Sequence, residues 1–97
     1  MKARFTPRAV SDLREIADYI RQKSPASAAK VRDEIRRTIE LLERFPYSGP
    51  RTDVEEVRRI VVHRYPYIVY YIADAARREV VILTIQHGSR RQPFEAE

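Results

Sequence analysis

The feature that most constrains this chain is a change of hydrophobic period at FPYSGPRT, residues 45–52. Before it, apolar residues recur at three- and four-residue spacings; after it, they alternate or run in β-branched blocks. Two prolines and a glycine within five residues cannot continue a helix, so the stretch is a surface turn joining a helical half to a β half.

In the helical half, KARFT alternates as a short strand, with Ala3 and Phe5 facing one way. Thr6 then Pro7 reads as an N-cap and first helical residue. Val10, Leu13, Ile16, Ala17 and Ile20 form one stripe, with charged residues opposite. Ser24-Pro25 repeats the start signal, and Ala28, Val31, Ile35, Ile39, Leu42 and Phe45 form a second stripe extended by Leu41. So short a connection makes the helices an antiparallel hairpin.

The β half holds three strand signals, VRRIVVHR, YPYIVYYIA and EVVILTIQH, with DAARR as the hairpin turn between the last two. Ile60 and Val62 fall on one face of the first, Arg59, Val61 and His63 on the other. The expected fold is α+β, in the order β-αα-βββ: a helical hairpin on one face of a small, mostly antiparallel twisted sheet. Ninety-seven residues make a single domain, 1–97.

Without cysteine, and with only His63 and His87, the chain has no thiolate metal site, and no cofactor is expected. No apolar run approaches a membrane span and MKARFTPRAV has no signal-peptide core, which predicts a soluble cytoplasmic protein that does not engage membranes.

Formal net charge is +5, carried by sixteen arginines and three lysines. Arginine's planar fork suits phosphate and carboxylate partners, which points to nucleic acid or an acidic protein. The total is equally what an arginine-rich codon bias would give; the placement is more telling. From Val57 to Phe94 seven arginines (Arg58, Arg59, Arg64, Arg77, Arg78, Arg90 and Arg91) stand against Asp74 and Glu79 alone, whereas the helices mix both signs. A sheet with helices on one side has an open side where these arginines are expected to converge, interleaved with Tyr65, Tyr67, Tyr70 and Tyr71. For any one of those tyrosines, β-propensity alone predicts a half-buried ring with its hydroxyl in water. His87 is a general acid or base in one reading and a strand-end cap in the other. Gly88 lets the chain leave the sheet, aiming Arg90 and Arg91 across the open face.

The ordered set SDLREIADYI, AAKVRDEIRRTIELLERFPYSGPR, YPYIVYYI and VVILTIQHGSRR resembles the RelE/ParE superfamily of bacterial type II toxins over nearly the whole chain. The resemblance implies a small toxin neutralised by a cognate antitoxin, whose acidic, amphipathic C-terminal segment would meet Leu13, Ile16, Ile20, Val31 and Ile35. RelE-like members cleave mRNA on the ribosome by attack of a 2′-hydroxyl on phosphate, which needs proton-transfer groups and cations. On that pattern Arg59 and Arg90 match two of the cations and His87 the base, but Tyr67 stands at the third-strand arginine, and Phe94 near the expected C-terminal tyrosine has no hydroxyl. ParE-like members inhibit DNA gyrase, trapping it with its DNA cleaved. This chain looks like them in its long helical hairpin and its HGSR strand exit. The resemblance therefore implies a toxin that works by binding, with Arg59, Arg64, Arg90 and Arg91 as target contacts and no catalytic residue. Its alternative is the ribosome-dependent nuclease.

Overall fold

The structure, a computed structural model, describes residues 1–89. Its order is β1 (Lys2–Phe5), α1 (Pro7–Lys23), α2 (Pro25–Arg44), β2 (Val57–Val61), β3 (Tyr67–Asp74) and β4 (Glu79–His87). The expected β-αα-βββ arrangement is present, as two helices on a four-stranded sheet of order β1-β4-β3-β2. β3 pairs antiparallel with β2 and β4, while β1 runs parallel to β4, so the sheet is mixed. None of the described helices is long and apolar enough to cross a membrane.

Both helix starts follow from capping chemistry. Thr6 Oγ1 accepts the Ala9 N–H at 3.1 Å and donates to the Leu83 carbonyl at 2.7 Å, joining the start of α1 to β4. Ser24 serves both helices: its N–H closes α1 on the Ile20 carbonyl at 2.7 Å, and its Oγ accepts the Ser27 N–H at 3.3 Å to open α2. The hairpin joint is therefore this one extended residue.

The pleat sorts the sheet into two faces. Tyr67, Val69 and Tyr71 of β3, with Val62, Val80, Ile82 and Ile85, pack with Ala9, Val31, Ile35, Ile39 and Leu42 of the helices. Ile60 joins this side as its alternation predicts, whereas Val61 pairs with Ile68 on the other. That second face carries its own cluster of Val57, Ile68 and Tyr70, flanked by Ile72 and Leu83. A bulge sets Tyr70 opposite Thr84 but Tyr71 opposite Ile82, leaving Leu83 as the extra residue.

The register corrects the expected aromatic surface. Tyr67 and Tyr71 are buried on the helix side, and Tyr65 packs partly buried against the same core. Tyr70 does lie on the opposite face, but with no exposed area. The alternation in YIVYYI distributes these rings over both faces, which a count of tyrosines does not register.

Candidate functional site

The candidate residues fall in three regions: the corner where β4 ends, the open face of the sheet, and the groove between the helices.

At the corner, Tyr67 pairs with His87, and their rings meet edge to face with centroids 5.5 Å apart. His87 Nδ1 accepts the Ser89 N–H at 3.0 Å and lies 2.7 Å from Ser89 Oγ. This assigns the proton of the neutral ring to Nε2. Asp12, Glu15, Ile16 and Tyr19 of α1 close a polar pocket of about 340 Å³ with Tyr67, Ile85, His87 and Ser89. Asp12 is already engaged: its carboxylate accepts the Ile85 N–H at 3.0 Å and the Thr84 hydroxyl. Tyr19 carries the Lys23 ammonium 4.7 Å above its ring; the Lys23 hydrogen bond and charge lower its pKa. Sequence reasoning singled out His87 but missed Asp12, Glu15 and Tyr19. Their spacing of three and four residues on α1 was the available signal.

Arg59 belongs elsewhere. It pairs with Tyr70 and so projects from the face opposite the helices, whereas His87 sits with Tyr67 and Ile85 on the helix side. Arg64 is exposed in the β2–β3 turn, at φ 71°. Arg77 and Arg78 occupy the turn at the far end of β3 and β4. Arg58 is committed to the chain itself, donating to the Gly49 carbonyl at 2.8 Å and the Tyr47 carbonyl at 3.2 Å while stacking 5.3 Å from the Tyr47 ring. The seven arginines of the β half are thus not one patch: among the described ones, the fold disperses them. Arg90, Arg91 and Phe94 lie outside the described residues.

The groove brings together the five residues that the resemblance implies for antitoxin binding. Leu13, Ile16 and Ile20 of α1 and Val31 and Ile35 of α2 line one open apolar trough of about 870 Å³, with Ala3 and Phe5 of β1 at its end. Val31 and Ile35 are buried, so much of their area is core. Lys2, Arg14, Arg21, Arg32 and Arg36 border it, with Glu40 and Glu43. Glu43 is spent inside the fold, its carboxylate accepting the Ala3 N–H and its carbonyl the N-terminal ammonium, each at 2.8 Å. The border is therefore net basic.

Comparison with known proteins places this geometry. A family model described as the ParE toxin of the type II toxin-antitoxin system, parDE, matches residues 3–92. A putative toxin, Y4kP, of Sinorhizobium fredii (strain NBRC 101917 / NGR234) is 34% identical over 92 residues, 95% of this chain and 93% of the relative. Toxin RelE2 of Caulobacter vibrioides (strain ATCC 19089 / CIP 103742 / CB 15) is 36% identical over 87 residues, 89% of this chain and 93% of the relative. Among solved structures, the chromosomal ParDE TA system from P. aeruginosa superposes with a TM-score of 0.76 at 26% identity, covering 90% of this chain and 95% of that one.

Proposed function

This chain belongs to the ParE toxin family of type II toxin-antitoxin systems, and from that premise we propose that it acts by binding, as an inhibitor of DNA gyrase that its cognate antitoxin neutralises. The observation that carries this reading is the separation of His87 and Arg59 onto opposite faces of the sheet. Cleavage of mRNA needs a proton-transfer group and cations converging within hydrogen-bond reach of one phosphate. Among the described residues no arginine lines the His87 pocket, and its other ionisable members are carboxylates and tyrosines. Arg59 and Arg64, with Arg90 and Arg91, are the proposed contacts to gyrase or its DNA. The helical groove is the proposed seat of the antitoxin, since an amphipathic acidic segment matches both its apolar floor and its basic border.

One observation favours the second reading, a ribosome-dependent mRNA nuclease: Ser89 fixes the His87 ring beside a polar pocket, as a general acid requires. Purified toxin incubated with gyrase, supercoiled plasmid and ATP separates the two. Linear DNA that appears with toxin and is lost on adding antitoxin is the expected result. His87→Ala leaves it unchanged, and Arg59→Ala or the paired change of Arg90 and Arg91 to alanine abolishes it. Intact plasmid, with ribosome-bound mRNA cut at a rate that His87→Ala lowers about a hundredfold, overturns the proposal.

A further inference from the structure

The turn that follows α2 carries aromatic surface and charge that neither the groove nor the His87 pocket uses. Phe45 and Tyr47 are 54 and 55% exposed, beside Leu41 at 42%. The Ser48 N–H donates to the Phe45 carbonyl at 3.1 Å, so both rings stand on one turn, stiffened by Pro46. An arginine lies against each: the Arg44 guanidinium carbon is 5.6 Å from the Phe45 centroid, and Arg58 stacks on Tyr47. Beside them, Arg51 bridges antiparallel to Arg58, which sets two positive side chains directly across from each other at the edge of β2. Like charges so placed are destabilising. Neither forms an ion pair among the described residues, although Asp53, Glu55 and Glu56 follow close by in the chain. Both hydrogen bonds of Arg58 leave from Nη1, so the rest of its fork remains for an anion.

We propose that this corner binds single-stranded DNA, with Arg51 and Arg58 sharing a backbone phosphate and Phe45 and Tyr47 stacking on bases. A phosphate between the two arginines offsets their repulsion. The exposed rings call for the flat face of an unpaired base, which a duplex keeps inside its own stack and an acidic peptide lacks. Arg59, next in sequence on the opposite face of the same edge strand, continues the positive track. The choice of DNA over RNA rests on the gyrase reading, in which the trapped target holds cleaved DNA; the phosphate and stacking chemistry does not.

The test is the fluorescence anisotropy of a labelled oligothymidylate of about twelve nucleotides, titrated with the full-length free toxin over a range of salt and without gyrase. Binding that weakens with salt is expected, loosened about tenfold by Tyr47→Leu and by Phe45→Leu. Arg51→Gln should lower the slope of log affinity against log salt by about 0.7, the share of one phosphate. Melting temperatures close to that of the unaltered chain are expected for all three, because each changed side chain is exposed. No binding, or an affinity that neither ring variant changes, overturns the proposal. So does tighter binding of the unaltered chain to a duplex, to an oligouridylate of the same length, or to a polyglutamate of the same charge, and these comparisons need no variant that folds. With gyrase absent, failure here is distinct from failure of the toxin to linearise plasmid.

Discussion

At the scale of single residues, the exit from the helices is held by Gly49 and Tyr71. The Gly49 N–H donates to Tyr71 Oη at 2.9 Å, and a Cβ on Gly49 would sit 2.6 Å from the Arg59 carbonyl and 2.7 Å from that hydroxyl. One neighbour is backbone and the other the end of a ring with no exposed area, so neither yields cheaply. Gly49→Ala is expected to lower unfolding stability by about 1–3 kcal/mol, read from the urea midpoint. Burial raises the pKa of Tyr71 above its ordinary 10.0, against the opposing pull of the Gly49 N–H, Arg58 and Ser48. An unfolded chain then releases this proton at lower pH than the folded one does. The stabilising contribution is full below pH 10 and is lost as pH rises through the folded value. Stability should therefore fall above about pH 10, and Tyr71→Phe, less stable at neutral pH, should show a shallower fall in alkaline denaturation series.

At the scale of elements, β4 outruns its partner. β1 ends opposite Ile82, yet β4 continues to His87, and α1 supplies the edge contacts that a longer β1 would have made. Thr6 accounts for the Leu83 carbonyl and Asp12 for the Ile85 N–H. Removing the carboxylate strands an amide at a buried residue. Asp12→Ala should cost about 1–3 kcal/mol, with Asp12→Asn recovering part of it through its remaining carbonyl oxygen. Amide exchange at Ile85 checks this directly, and it should rise more than exchange at Val80, where β1 still pairs.

At the scale of the whole molecule, charge and apolar surface are partitioned. The groove between the helices is apolar and basic at its border, the His87 pocket holds carboxylates, and the far face of the sheet is an apolar cluster. Antitoxin association should therefore slow steeply as ionic strength rises from about 0.1 to 1 M, where the screening length falls from about 10 to 3 Å. Dissociation, which on the proposed seating in this groove is governed by the apolar floor, should change far less; stopped-flow kinetics across that range would show it. Element order, both proline-led helix starts, the hairpin and the apolar stripes of the two helices were legible in the sequence because each rests on local periodicity or capping. The dispersal of the arginines and the sorting of the tyrosines were not. They depend on cross-strand register, and on a bulge at Leu83 that no local pattern marks. The strand order has a further consequence, one of time. β1 is made first, yet its partner is β4, with Lys2 beside Glu79. A ribosome partway through this message holds a helical hairpin and a strand with nothing to pair with. Contacts so distant in sequence form late. A growing chain therefore has no finished sheet until β4 has been made, and the β1 edge waits on the last strand of the fold.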